Sequence, residues 1–546
     1  MRGVARAHLR AQFCMGFAMA VLAKNLISPN MSQLTRRQAL QFAAAGSAVA
    51  ATPHLLAAEP ARGPLQIVGP WEISGLAPSN SGYVFTRLQV VETLVDAQDD
   101  GTPTPALAER WAVSPDGLTW RFTLRTSARF HDGSPVTAAA VVRCLQVARV
   151  APALLSQAPI KSIDADGTGT VLLRLASPYG GLLALLAHSS TLILAPASFA
   201  ADGSVRSIIG SGPYKVVALT PPQSVEVAVF DGFDGAKPVV QQARYLAAGR
   251  AETRALMAEG GQADLAFGLD PASLTRLRTR RQLRIESVML PRTVILKVNA
   301  ALPALQDVRV RQALSLAIDR AGIAKALLRD PELAASQLFP PSLKGWHNAA
   351  LPSLAHDPAR AAKLLTEAGW QPSADGLRDS AGQPLRLSLR TFPDRPELPI
   401  IASALQEQWR QAGIAVQVNV GNSGDIPLGH RDGSLQLALG ARNYATVPDP
   451  TGTLLQDFGP QGGDWGAMGW QNQALLKALA ELSRGGATQE RVLALRAEVA
   501  RVLQAELPVI PITWYRQQVA VSQRLKGVRL DPLERSYRLS QMGWRA

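Results

Sequence analysis

A chain of 546 residues can bury two or three cores, and its 47% hydrophobic and 18% charged residues are ordinary for a globular protein. The formal net charge of +14 does not point to nucleic acid, because Arg2, Arg6, Arg10, Lys24, Arg36 and Arg37 precede Glu59 with no acid among them, and subtracting these six leaves +8 on the rest. The remaining arginines stand one or two at a time, and the one short cluster, Arg276, Arg278, Arg280, Arg281 and Arg284, reads as a solvated helix face rather than a phosphate track.

In chain order the first feature is an export signal. Thr35-Arg36-Arg37 opens an apolar stretch from Leu40 to Ala51, and small residues follow at Ala57-Ala58, giving the basic, apolar and cleavage regions of a secretory leader. The paired Arg36 and Arg37 resemble a twin-arginine signal, although Ala39 stands where such signals carry a large apolar residue. Translation is expected to start at Met31, and residues 1–58 are read as the leader. The apolar run is short for a membrane span, and no other stretch is long and uncharged enough, so the processed chain is expected to be soluble. Cys14 falls in the leader, which leaves Cys144 as a lone thiol, expected to be buried and inert.

Leu118 to Arg125 alternates apolar and polar residues, the pattern of a half-buried strand, and Asp116-Gly117 before it is a turn signal. Phe130-His131-Asp132-Gly133-Ser134-Pro135 is a second turn, after which Thr137 caps a helix from Ala138 to Ala148. Farther on, Asp307 caps a helix whose apolar positions Val310, Ala313, Leu314, Ala317 and Ile318 follow helical spacing. Asp357-Pro358 starts another helix, which Gly369 ends. Leu385, Leu387 and Leu389 alternate as a strand. A helix from Leu398 to Gln411 and a strand from Ile414 to Val418 follow, so a βαβ unit and a parallel strand pair are expected.

Searches for catalytic signatures return little. There is no Gly-x-Ser-x-Gly elbow and no phosphate loop, and Gly210-Ser211-Gly212 runs into Pro213. His131, His188, His347, His356 and His430 do not pair at metal-ligand spacing, and Cys144 has no CxxC partner. No cofactor, no metal site and no enzymatic activity are expected.

Thr104-Pro105-Ala106-Leu107-Ala108-Glu109-Arg110-Trp111, followed by Pro115 to Phe122 and Phe130 to Pro135, resembles the signature block of the family 5 extracellular solute-binding proteins, the receptors of peptide, nickel and opine ABC importers. Gly210-Ser211-Gly212-Pro213-Tyr214, the helix from Asp307 with Ile318-Asp319-Arg320, Asp357-Pro358 through Trp370, and Asp449-Pro450 resemble further blocks in the family's order. The resemblance implies an α/β fold, a two-lobed periplasmic binding protein of type II, cluster C-like, with an extra N-terminal subdomain. Residues 59–290 would form lobe I, 291–507 lobe II, and 508–546 would return to lobe I. It implies a periplasmic monomer that captures a small ligand between the lobes and delivers it to an ABC permease. The alternatives are a secreted enzyme and a ligand-presenting sensor or chaperone on the same fold.

By the same resemblance two stretches face the cleft, Ser79 to Arg87 and Arg442 to Pro448. Tyr83, Phe85 and Tyr444 are the candidate aromatic walls, with Arg87 beside them. Arg442 is the candidate anion anchor, since a guanidinium can grip a carboxylate with two parallel bonds. Trp465 and Trp470 lie on a Gly-rich loop that could cover the cleft. Thr446 stands where the family's dipeptide and oligopeptide receptors place an Asp to pair with a peptide ammonium, and this puts ordinary peptide capture in doubt. The nickel receptors resemble the chain more closely in Ala368-Gly369-Trp370 and Gly382-Gln383-Pro384-Leu385, but residues 451–475 lack the His they offer. A nickel or metallophore chelate and a peptide-like molecule both remain as ligands.

Overall fold

The computed structural model describes residues 63–545 apart from 151–153, 394 and 446. The leader with Arg36 and Arg37, the Met31 start, and Thr446 lie outside the described residues.

The chain is organised around one mixed sheet of ten strands. In spatial order these are Ala415–Val420, Arg386–Thr391, Leu437–Asn443, Leu283–Val298, Val509–Ser522, Leu265–Ala266, Leu65–Gly69, Gln242–Ala247, Ser224–Val229 and Tyr214–Thr220. Two of them, Leu283–Val298 and Val509–Ser522, are far longer than the rest and pair antiparallel along nearly their whole length. At one end their side chains, Val519 and Val521, join a core containing Phe85, Phe122, Phe130, Tyr214 and Tyr245. At the other end Val294, Leu296, Ile510 and Ile512 join a second core with Leu314, Leu389, Leu405 and Trp409. The two strands therefore connect two separately packed bodies. The boundary expected at residue 290 falls inside the first of them, and the one at 507 just before the second.

Their pairing is interrupted between Leu290 and Thr293, where the register shifts. Pro291 cannot donate to the ladder, so a bulge forms there, as bulges and strand prolines commonly coincide. The Pro291 carbonyl instead accepts from the Tyr444 backbone N–H at 2.8 Å. The irregularity lies between the strand segments that join the two cores, and Arg292 falls within it.

Local signals form the elements they specify. Thr119–Leu124 is a strand with Phe122 and Leu124 buried, lying in a separate four-stranded antiparallel sheet that shares the first core. Asp307 accepts from the Arg309 N–H at 2.8 Å and Asp357 from the Arg360 N–H at 2.9 Å, so both cap the helices that follow. Arg386–Thr391, helix Glu397–Gln411 and Ala415–Val420 form the βαβ unit, its strands parallel. Ser79 to Arg87 does not form an open cleft wall: Pro78 starts a helix, Pro78–Arg87, whose Ser81, Gly82, Val84, Phe85 and Arg87 are buried. Among the described residues no helix is long and apolar enough to cross a membrane.

Candidate ligand-binding cavity

A cavity of about 530 Å³ opens where the two bodies meet, a size that suits a small ligand. One body contributes Trp71, Arg254, Gly268 and Leu274, and the other Phe392, Arg395, Glu397, Ser423, Arg442 and Trp465. The long strands supply Arg292 and Tyr515 to Gln518 across its floor, and the C-terminal segment supplies Glu534. Arg395 and Glu397 follow the carboxyl end of Arg386–Thr391 and lead into the next helix, the position where open α/β sheets commonly bind ligands.

Five guanidiniums line this space, those of Arg254, Arg292, Arg395, Arg442 and Arg516, against the two carboxylates of Glu397 and Glu534. Three of the five are matched to acids. Arg442 holds Asp457 through two bonds of 2.6 and 2.7 Å. Arg292 pairs with Glu534 at 2.6 Å, and Arg516 with Asp330 at 2.8 Å and also with Glu332. Burial alone would raise the Glu534 carboxyl, but Arg292, Arg87 and Arg395 together hold it below the ordinary carboxylate range.

The other two guanidiniums have no ion pair among the described residues. Arg254 is held by backbone carbonyls, donating to Phe267 and Gly249 at 2.8 Å each. Arg395 lies over the Tyr515 ring, 5.2 Å from its centroid, and Arg292 lies 5.0 Å from the same ring. Glu397 is nearby, yet burial pushes its carboxyl up despite the charge of Arg395, and its Oε1 has no hydrogen-bond partner. Arg395 also bonds the Tyr515 hydroxyl and shares the charges of Glu397 and Glu534, so the lining is rich in guanidiniums beside a buried carboxyl.

The sequence candidates divide between this cavity and the core. Arg442 and Trp465 line the cavity. The fork of Arg442, however, is committed to Asp457. Trp465 packs edge-on against Phe392 with centroids 5.9 Å apart. Tyr83 is half-buried and is not among the residues lining the cavity, its hydroxyl donating to the Glu72 carbonyl at 3.2 Å. Arg87 donates to the Glu534 carbonyl at 2.8 Å and covers the Trp71 ring at 4.1 Å, supporting the wall from behind.

Phe85 and Tyr444 are corrections. Phe85 is fully buried in the first core because helix Pro78–Arg87 turns that face inward. Tyr444 is also fully buried, edge-on to Phe339 at 5.5 Å, because its backbone N–H is bonded to Pro291 beside the bulge. Trp470 is buried too, its indole N–H donating to Glu506 at 2.6 Å. Cys144 is buried, and burial pushes its thiol up to about 11.

Sequence reasoning missed Trp71, Arg254, Phe392, Arg395, Glu397 and Tyr515. A signal existed for one pair: Pro393 to Glu397 places three charges, Asp394, Arg395 and Glu397, between a strand and a helix, where a loop with only a connecting role needs none. No local signal marks Arg254 or Tyr515.

The family model described as "Bacterial extracellular solute-binding proteins, family 5 Middle" matches residues 102–465. The chain is 27% identical over 494 residues to the nickel-binding periplasmic protein of Escherichia coli K12, covering 87% of this chain and 93% of that protein. It is 25% identical over 400 residues to the dipeptide-binding protein of the same organism, covering 67% and 72%. The crystal structure of NikA from Brucella suis in complex with Fe(III)-EDTA matches 89% of this chain and all of that chain, with a TM-score of 0.81 and 24% identity. That likeness identifies the fold as the two-lobed α/β architecture.

Proposed function

Because the chain belongs to the family 5 bacterial extracellular solute-binding proteins, we propose that it is the periplasmic receptor of an ABC importer, taking a carboxylate-bearing small ligand in the cavity lined by Arg254, Arg395 and Trp465. The observation that carries this is the set of five guanidiniums, those of Arg254, Arg292, Arg395, Arg442 and Arg516, lining a space shared by both bodies. A ligand carboxylate meeting the Arg395 fork would gain two charge-assisted bonds in a site already shielded from water. The aromatic rings of Trp71, Phe392 and Trp465 would cover its apolar parts. The long strands Leu283–Val298 and Val509–Ser522 would act as the hinge about which the lobes close.

Two ligand classes fit this chemistry. A nickel or metallophore chelate would be held through the carboxylates of its chelator, as the relatives named for nickel and for Fe(III)-EDTA suggest. A peptide-like ligand would be held through its C-terminal carboxylate, as the dipeptide-binding relative suggests. The excess of cationic groups favours the ligand with more carboxylates. In this reading the protein works as a monomer, performs no reaction, and reaches the periplasm on a twin-arginine signal at Arg36 and Arg37.

The test is a thermal-shift screen of the processed protein, unfolded and refolded to strip it, against free Ni²⁺, Ni²⁺–histidine, Ni²⁺–EDTA, dipeptides and tripeptides. A ligand at about 100 times its Kd adds roughly 2.7 kcal/mol of stability. Stabilisation by chelates alone assigns metal uptake, and stabilisation by peptides alone assigns peptide uptake. No shift with any of them overturns the carboxylate reading.

A further inference from the structure

Lys297 lies near the end of strand Leu283–Val298, paired with Ala438 on one side and Val509 on the other, and is 2% exposed. A lysine is rarely this buried without a specific partner. Its ammonium donates to two carbonyls, those of Gly463 and Gly466, each at 2.7 Å. These carbonyls bracket Asp464 and Trp465. The Gly463 carbonyl also accepts from the Gly466 N–H at 3.0 Å, which closes the turn. The Trp465 ring lies directly over Gly440, where a Cβ would come within 3.1 Å of it, so the indole has little freedom on that side.

The acids facing Lys297 are Asp457 and Asp464. Asp457 is already held by Arg442, and Arg431 approaches Asp464 at 3.4 Å. The other titratable neighbour is His430, which burial and the charge of Lys297 both push down. Burial draws Lys297 itself down to about 7, against the pull of the two aspartates. An ammonium that loses its proton near neutrality keeps two N–H donors but loses the charge that strengthens both bonds.

We propose that Lys297 is a positioning residue for the cavity: its ammonium fixes the turn from Gly463 to Gly466 and so holds the Trp465 indole on the cavity wall, and loss of its proton loosens that wall. For ligand capture this rests on the reading that the cavity is the binding site. The geometry of Trp465 can be tested without that reading.

The experiment uses processed protein labelled with 5-fluorotryptophan, with the Trp465 resonance assigned by Trp465→Phe and followed by fluorine NMR from pH 5.5 to 8.5. In the wild type the resonance should move with a midpoint near neutrality. The movement should vanish in Lys297→Met and persist in His430→Gln. Lys297→Arg, which keeps a cation at every pH used, should hold the resonance at its low-pH position. A resonance that does not titrate, or that titrates equally in Lys297→Met, overturns the proposal, as does a titration abolished by His430→Gln alone. A second arm compares the thermal shifts given by Ni²⁺–histidine and by trialanine. The wild-type shift should exceed that of Lys297→Met at pH 6, and the difference should narrow by pH 8. Equal shifts at pH 6 overturn the link to binding. If neither compound shifts the wild type, the ligand reading fails while the fluorine titration still decides the role of Lys297.

Discussion

Arg442 and Asp457 form a two-bond ion pair of 2.6 and 2.7 Å between strand Leu437–Asn443 and helix Pro450–Phe458, with the Asp457 carboxylate almost entirely out of water. Burial raises the Asp457 carboxyl, and Arg442 opposes that rise. Removing one partner strands the other charge in a low-dielectric setting, a loss of about 3–5 kcal/mol. Arg442→Met should therefore lower stability by that order in urea denaturation, and Arg442→Met/Asp457→Leu should recover most of it. A single variant that unfolds at the wild-type urea concentration would mean the pair is solvated.

Tyr444 separates packing from binding. Its ring fills the core against Phe339, but its hydroxyl has no hydrogen-bond partner. Tyr444→Phe should leave stability unchanged or slightly higher, since it removes an unsatisfied buried group. Tyr444→Ala should cost about 3–5 kcal/mol through the cavity it leaves. Neither should change which compounds stabilise the protein, whereas a ring that touched ligand would change them in both variants.

The contrast between Tyr444 and Arg395 shows what the sequence could and could not reveal. Capping residues such as Asp307 and Asp357, and alternation such as Leu118 to Arg125, act within a few residues, so the elements they set were legible. The family resemblance then supplied the two-lobed arrangement. Which side chains face the cavity depends on contacts between distant segments. Tyr444 is turned into the core by a backbone bond to Pro291, more than 150 positions earlier in the chain. Arg254, Arg395 and Tyr515 come together only because two long strands carry the chain across and back. Arg442 was legible as a cavity residue, but its commitment to Asp457 was not, because aspartates are common and only the packed helix selects one of them.

Arg395 is the residue on which ligand capture should depend most. It makes no direct ion pair among the described residues, and when it is removed Glu534 keeps its ion pair with Arg292, although Glu534 and Glu397 each lose one nearby positive charge. Arg395→Met should keep a melting temperature close to the wild type. It should lose about 2–5 kcal/mol of affinity for a carboxylate ligand, as truncation of one partner in a buried charge pair does. Calorimetric titration with whichever compound stabilises the wild type measures this. An unchanged affinity would move the anchor to Arg254, where Arg254→Met is the next variant, expected to be less stable because it leaves several carbonyls without their donor.

Two buried histidines should make the fold acid-sensitive well above the range in which carboxylates titrate. His188 caps a short helical turn by accepting from the Ser190 N–H at 3.1 Å, and burial brings it down to about 4. His131 bonds the Gly212 carbonyl at 3.0 Å and sits edge-on to Phe230, and burial brings it down to about 4 as well. In the unfolded chain both take up a proton near pH 6.5, while in the folded protein they stay neutral until about 4. The unfolded state therefore binds more protons throughout that window, and stability falls as the pH is lowered through it. Each group contributes a slope of at most about 1.4 kcal/mol per pH unit. Because Lys297, drawn down to about 7, adds its own slope above that pH, the measurement is made in Lys297→Met, where urea denaturation at intervals from pH 7.5 to 4 should show stability level above 6.5 and declining below it. His188→Asn should keep an acceptor at the cap and remove about half of the decline, and a slope unchanged in that variant would mean that His188 binds its proton equally well in the folded and unfolded chain.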